Sequence, residues 1–322
     1  MEEMFLMKPK IDYAFKEIMM DERARTGFLA AVLKLDPSEI KETVILNTNL
    51  RKTHGDEKQG ILDVRILMDD AAEIDIEIQL SVMAAWADRS LFYLSKMYTE
   101  QIRPGQNYTV FKKCVGISIL DFDLLKGRKE FYSCFHISED TSRILYTDKM
   151  EFHVLELPKL PEELKEDSGD LLLWAKFINA EKKEEFDMLA QKNPYISSAY
   201  QQLQAVSRDR EKRLEYEARE KAVLDYNQMM FESEQKGLEQ GLEQGLERGL
   251  RQGETYQLIR MVKRKMEKGK TAVQIASELD EELALVEKIH NAINAGHPDD
   301  SCEKIYDILC GQDVGDSANG KE

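Results

Sequence analysis

The groups best suited to chemistry in this chain are acids and a glutamine in residues 60–80, GILDVRILMDDAAEIDIEIQL. Asp63 stands in the first half, and Glu77 and Gln79 follow in the second, behind Glu73 and Asp75. Carboxylates in such a set suit a hard divalent cation, Mg²⁺ or Mn²⁺, which takes oxygen ligands. Asp63, Glu77 and the backbone carbonyl of Ile78 supply three such oxygens. A cation held that way polarises a phosphate and activates a water, the chemistry of phosphodiester hydrolysis. Gln79 lies two residues past Glu77, on the same side of an extended strand, where it can orient the water or a phosphate oxygen. It carries no charge, so it offsets less of a transition state than a lysine there would.

The elements that must position these groups are two strands, over residues 61–67 and 73–80, joined by an acidic turn at 68–72. In the second strand Ile74, Ile76, Ile78 and Leu80 alternate with Glu73, Asp75, Glu77 and Gln79. That period of two sends the aliphatic set to one face and the acids to the other. In the first strand Leu62, Val64 and Ile66 point inward and leave Asp63 and Arg65 together. Pairing the strands brings Asp63 beside Glu77 and Gln79. The acid face has two readings. One is the solvated side of a hairpin, common for antiparallel strands. The other is a cation site, because like charges crowded on one strand face repel and Arg65 alone offers local relief.

Composition narrows the function classes. Of 322 residues 33% are charged, the formal net charge is -16 and the pI is near 5.0. The average field repels nucleic acid, so a nucleic-acid site requires a local basic patch or metal ions. Cys114, Cys134, Cys302 and Cys310 form no CxxC pair. Cys114 and Cys134 read as buried thiols, which suits a reducing cytoplasm. Residues 1–10 lack the apolar core of a secretory signal. No apolar run reaches the roughly 18 residues that cross a membrane. Neither GxxxxGK[ST] nor GxGxxG occurs, which removes the common nucleotide cradles. His54 falls in a polar loop, and His290 and His297 have no identified companion ligands, so no zinc site is read from the sequence.

Helices and strands surround the acidic stretch. Residues 10–20 (KIDYAFKEIMM) form an amphipathic helix with Asp12 at its start, as a cap or as an acid reaching the metal site. A second helix covers 26–35, a strand 43–50, and a polar loop with His54 and Lys58 spans 51–59. A long helix over 81–102 carries Arg89 and Lys96, which face either phosphate or solvent. The nearly continuous apolar run at 114–120 suits the centre of a sheet, and strands over 131–137 and 150–157 follow. This order argues for a mixed α/β domain ending near Pro158.

Composition then changes. Residues 161–235 read as a helical region dense in Arg, Glu and Lys. Residues 236–254 contain GLEQGLEQGLERGLRQG, with glycine at 237, 241, 245, 249 and 253. Each glycine costs a helix roughly 1 kcal/mol relative to alanine. The repeat is therefore a helical linker, or a surface where two copies pack closely in a homo-oligomer. Residues 255–297 read as a small helical module with Val273, Ile275, Ala276, Leu279, Leu285, Val286 and Ile289 as its core. Its spacing is like a helix-turn-helix, but Glu281, Glu282 and Glu287 suit packing better than groove reading. Residues 298–322 read as a flexible tail.

Asp63 followed by E-x-Q at Glu77 and Gln79 resembles the PD-(D/E)XK nuclease pattern, with glutamine in the lysine position and Leu62 where that pattern has proline. Further motifs resemble the Rpn-like recombination-promoting nuclease and transposase branch of that superfamily. They are IDYAFK (11–16), K-x-x-x-x-D-V (58–64), IEIQ (76–79) and R-x-x-x-Y-x-x-K (89–96), then Gln101, Gly105 and Tyr108. The likeness covers residues 7–160, and the glycine-acidic repeat is similar in style. It implies a mixed-sheet, restriction-endonuclease-like α/β core in residues 1–160, flanked by helices and followed by a helical C-terminal region. It implies Asp63, Glu77 and Gln79 as catalytic residues, with the metal on Asp63, Glu77 and Ile78. Asp12, Lys58 and Arg89 are the accessory residues, Mg²⁺ or Mn²⁺ the cofactor, and DNA the partner.

Three function classes stand at this point. The first is a Mg²⁺-dependent DNA endonuclease linked to recombination or transposition. The second is a catalytically lapsed nuclease fold that binds DNA or protein. The third is an oligomeric scaffold built on the glycine repeat.

Overall fold

The structure, a computed structural model, describes residues 5–48, 62–297 and 301–317. The polar loop with His54 and Lys58 lies outside the described residues. Helices α1 (Asp12–Met19) and α2 (Glu22–Leu33) precede strands β1 (Thr43–Leu46), β2 (Val64–Met68) and β3 (Ala72–Gln79). Helix α3 (Trp86–Thr99) leads to β4 (Lys113–Leu120), β5 (Tyr132–Ser138) and β6 (Leu145–Glu156). Helices α4 (Asp170–Asn179), α5 (Lys183–Lys192), α6 (Pro194–Arg208) and α7 (Arg210–Met266) follow, then α8 (Ala272–Leu279), α9 (Leu283–Ala295) and α10 (Cys302–Ser317).

The strands form one mixed sheet in the order β1-β2-β3-β4-β6-β5. β1, β2 and β3 run antiparallel, β4 lies parallel to both β3 and β6, and β5 closes the far edge antiparallel to β6. The apolar run of β4 takes the centre, as its pattern requires. The β2–β3 turn is tight because Asp69 and Asp70 both adopt φ of 51°, a left-handed backbone that Asp tolerates, in the three-residue loop between the paired Met68 and Ala72. Ala71 N closes it on Met68 O at 2.9 Å. Asp69 Oδ1 also accepts from the Lys41 and Glu42 amides, which ties the entry of β1 to the turn.

The aliphatic face of the sheet, with Ile66, Ile74, Ile76, Val115, Ile117 and Leu155, packs against α1, α2 and α4–α6. Trp174, Phe28, Phe177 and Phe186 fill that layer in edge-to-face contacts. The other face is covered by α3 through Tyr93, Leu94 and Met97 near one end and Trp86 near the other. Arg25 is buried as a clamp: its Nε donates to Thr43 Oγ1 (2.8 Å), and its Nη1 and Nη2 donate to Met19 O (2.7 Å) and Thr43 O (3.0 Å). It joins the end of α1, α2 and β1.

The core does not stop near Pro158. The first compact unit runs Met1–Gln228, and Leu203, Val206 and Tyr216 belong to the same core as the sheet. The helices past Pro161 carry enough apolar surface for that: Leu173, Trp174, Phe177 and Ile178 all lie on one side of α4. Residues 210–228 of α7 are held by the buried Tyr216 and by Lys212, which meets Glu17 of α1 at 2.6 Å.

The second unit spans Met229–Glu322. Its core joins Leu258, Ile259 and Val262 of α7 to Ile275, Val286, Ile289 and Ile305. Val273 and Leu285, expected inside, are exposed, because the buried stripes of α8 and α9 run through Ile275–Ala276 and Val286–Ile289 instead. The expected flexible tail is partly helical. Residues 302–317 form α10, whose Ile305 is buried and whose Tyr306 packs edge-on against Tyr256. The glycine repeat is uninterrupted helix within α7. A Cβ at Gly237, Gly241, Gly245, Gly249 or Gly253 would meet nothing within 4 Å, and Leu238, Leu242, Leu246 and Leu250 are exposed.

Candidate active site

β3 turns Asp75 and Glu77 toward α3, and that helix buries them to 6% and 5% exposure. The acid side is therefore an interior face of the sheet, because the amphipathic helix after it folds back over it. Glu73, nearer the hairpin turn, pairs with Arg65 at 2.7 Å, and Arg65 also reaches Glu100 at 3.5 Å. Asp75 lies opposite Arg65 in the β2–β3 register, yet Asp75 Oδ1 has no hydrogen-bond partner. Glu77 Oε2 accepts from Arg89 Nη2 at 3.1 Å, while Glu77 Oε1 is buried without a partner. The Arg89 guanidinium sits 5.5 Å from the Trp86 ring and 5.1 Å from the Tyr93 ring, so aromatic faces from its own helix hold it over Glu77.

Asp63 arrives at the end of β2. The ladder closes with Val64 opposite Ile76, so the next β3 amide facing β2 belongs to Ile78. Asp63 Oδ2 accepts that amide at 3.0 Å, taking the place of a main-chain carbonyl. In an antiparallel ladder the N–H and C=O of one residue face the same neighbour, so the Ile78 carbonyl faces the Asp63 side as well. Leu62 leaves the expected alternation: it packs with Tyr93, Leu94 and Met97 rather than with Val64 and Ile66, because regular pairing starts only at Val64.

The carboxyls perturb one another. Burial, followed by the charge of Asp63, pushes Glu77 up to about 8 against the pull of Arg89. Burial pushes Asp63 up to about 6, opposed by its Ile78 amide bond and reinforced by Asp12. Burial, then Glu77 and Asp63, raises Asp75 well above the ordinary range. Three clustered acids that are all raised lack positive charge. Two of their oxygens are buried without partners, and oxygen donors fit a hard divalent ion rather than a soft one.

Two cavities flank this cluster. One of about 590 Å³ is lined by Asp12, Lys16, Asp63 and Arg219 among others. The second, of about 370 Å³, has Asp12, Ile78, Gln79, Arg89 and Arg219 on its wall. Asp63, Ile78, Gln79, Asp12 and Arg89 thus come together around one region, with Glu77 just beneath under Arg89. Lys58 lies outside the described residues. Asp12 is in the first turn of α1 rather than its cap: the cap position is Ile11, without a side-chain bond. Its Oδ2 takes Arg219 Nε at 2.6 Å. Gln79 Nε2 donates to Ser81 O at 3.0 Å.

Arg219 was not legible in the sequence. It comes from the charge-dense start of α7, where nothing in local pattern separates it from its neighbours, and only tertiary docking carries it to both cavities. It supplies a guanidinium on the wall that also holds Gln79. Lys16, on the outward side of α1, likewise carries no local signal that sets it apart.

A mixed sheet with helices on both faces and an acid pair at the end of a hairpin defines a restriction-endonuclease-like α/β protein. Residues 9–233 match the family described as PD-(D/E)XK nuclease family transposase, and the chain belongs to that family. The match runs past Pro158 through α4–α6 and into α7, the same reach as the shared hydrophobic core. No curated protein and no solved structure matches the chain. Among the described residues no helix is long and apolar enough to cross a membrane.

Proposed function

We propose that the protein is a metal-dependent DNA endonuclease, with Asp63 and Glu77 as its metal-holding carboxylates and the Ile78 carbonyl as a third oxygen. The observation that carries the reading is Glu77 Oε1, buried and unpartnered beside Asp63, which lines the first cavity. Bound there, Mg²⁺ or Mn²⁺ supplies Lewis-acid polarisation of a phosphate and a more acidic water. The chain's own residues do the rest. The Ile78 amide fixes the Asp63 carboxylate, and Arg89 fixes one oxygen of Glu77 while leaving the other for the cation. Gln79 presents a polar side chain to the phosphate. Arg219, on the same wall, provides the positive charge that a lysine would bring to the position of Gln79. Asp12 orients that guanidinium and acts as a positioning residue.

DNA is the substrate this family membership favours, and a family of transposases favours strand cutting in DNA rearrangement over general degradation. A protein of net charge -16 meets DNA through its local cations, here Lys16, Arg89 and Arg219, and through the bound metal. One observation favours a second reading, a nuclease fold that binds without cutting: Arg89 already neutralises Glu77. Nicking of supercoiled plasmid in Mg²⁺, set against chelator, separates the two. The nuclease reading expects parent protein to nick and the Glu77→Gln variant not to. Binding by both without nicking by either selects the second.

A further inference from the structure

On the opposite face of the sheet, the β5–β6 ladder sets Cys134 against His153 and His136 against Glu151. Strand alternation puts Cys134 and His136 together, and Glu151 and His153 together, so four metal-ligand side chains form a two-by-two block. The block is separate from the acid pair. Across the register Glu77 aligns with Ser118 and Val154, whereas His153 aligns with Ile117 and Ile76 of the aliphatic face.

We propose that this block holds a second, softer metal site that binds Zn²⁺ through Cys134, His136 and Glu151, with His153 beside Glu151 as a positioning residue. Cys134 Sγ lies 3.6 Å and His136 Nε2 lies 3.0 Å from Glu151 Oε1, and the sulfur and His136 Nε2 are 4.0 Å apart. Ligand atoms from these three residues all lie within 4.8 Å of one another. His153 Nε2 is 3.5 Å from the same Glu151 oxygen. Tetrahedral zinc with bonds of about 2.0–2.3 Å holds its ligand atoms roughly 3.3–3.8 Å apart, so Cys134, His136 and Glu151 need adjustment by only a few tenths of an ångström. Sulfur with imidazole selects zinc over magnesium.

His153 steadies the carboxylate. It is 2% exposed, its Nε2 pairs with Glu151 Oε1, and its Nδ1 is 2.8 Å from the Tyr132 hydroxyl. The hydroxyl proton goes to Nδ1, the nearer acceptor, and Nε2–H then faces Glu151. Glu151 is thereby held with Oε1 beside Cys134 and His136. Lys113 pairs with Glu151 Oε2 and leaves Oε1 turned toward the other three residues. Three protein ligands leave a fourth position on the metal to water. The metal would pin β5 to β6 just before the ladder becomes irregular at His136–Ser138.

The test uses the full chain with Asp63→Asn and Glu77→Gln as background, so that the acid pair contributes little. Metal-stripped, reduced protein is titrated with Co²⁺ and then Zn²⁺. The expected result is one Co²⁺ per chain, with thiolate-to-cobalt absorption in the near ultraviolet and the strong visible bands of tetrahedral cobalt, both displaced by Zn²⁺. Cys134→Ser removes the near-ultraviolet band, and His136→Gln weakens Zn²⁺ binding about tenfold or more. Both positions are partly exposed, and unchanged far-ultraviolet circular dichroism confirms that the variants fold. Absence of the thiolate band in the parent overturns the site. So does its persistence in Cys134→Ser, which would place the metal on another cysteine, or unchanged Zn²⁺ affinity in both variants.

Discussion

Neutralising Glu77 should make the metal-free protein more stable at alkaline pH, and the size of the effect follows from the buried acid cluster. Glu77 moves from an ordinary 4.5 to about 8, chiefly through burial and then through Asp63. A carboxyl whose folded-state value is raised holds its proton more tightly in the folded chain than in the unfolded one. The stability it lends is full below about 4.5 and is lost as pH rises through about 8. At 1.36 kcal/mol per pH unit the full loss is about 5 kcal/mol. Asp63 contributes to the rise of Glu77, so their losses do not add, and the glutamine keeps only a neutral bond to Arg89. A difference of about 2–5 kcal/mol between Glu77→Gln and parent at pH 9 is the expectation, against little difference near pH 4.5. For a unit of about this size each kcal/mol moves Tm by about 2–4 °C. Thermal and urea unfolding in chelator, from pH 4.5 to 9, reads it directly. Parallel pH curves for parent and variant would refute the reasoning, because Glu77 would then titrate alike in the folded and unfolded chain. Adding Mg²⁺ at pH 8 should stabilise the parent and leave the variant nearly unmoved.

Arg219→Ala should lower cleavage about tenfold, and Arg219→Lys should restore part of it. Equal single-turnover rates in parent and alanine variant would leave Arg219 as a tie to Asp12 alone. Gln79→Lys should match or exceed the parent rate, and Gln79→Leu should fall below it. A leucine variant as fast as the parent would make Gln79 structural, through its bond to Ser81. Replacing Gly241, Gly245 and Gly249 by alanine should gain helix stability of about 1 kcal/mol per site, since a Cβ meets nothing at any of them. Circular dichroism melts and amide exchange over α7 measure that gain.

How much could be read beforehand differs between fold and site. The alternation of residues 73–80 placed β3 and its two faces, and the apolar run after Lys113 marked the central strand. Both follow from side-chain period alone. The neighbourhood of Asp63 and Glu77 was legible for the same reason: a short turn between the two strands fixes which residues face each other. Burial of the acids was not, since it depends on α3 folding back over that face. The long helix starts at Trp86, not at Ser81, because Gln79 and Ser81 are occupied in bonding at the strand end. Arg219 meets Asp12 across 207 residues, and no local pattern carries such a contact. The Cys134, His136, Glu151 and His153 block was hidden likewise, as C-x-H and E-x-H on separate strands signal nothing until β5 and β6 pair.

The central claim, that Asp63 and Glu77 hold the metal that cuts DNA, is tested most directly by measuring binding and cleavage on one labelled duplex. Asp63→Asn is the variant of choice, because asparagine still offers an oxygen to the Ile78 amide and so preserves the end of the ladder. The account predicts that it binds the duplex like the parent, and that its Mg²⁺-dependent single-turnover cleavage falls by about 100-fold or more. Cleavage at the parent rate by Asp63→Asn and Glu77→Gln, with metal dependence unchanged, would contradict it.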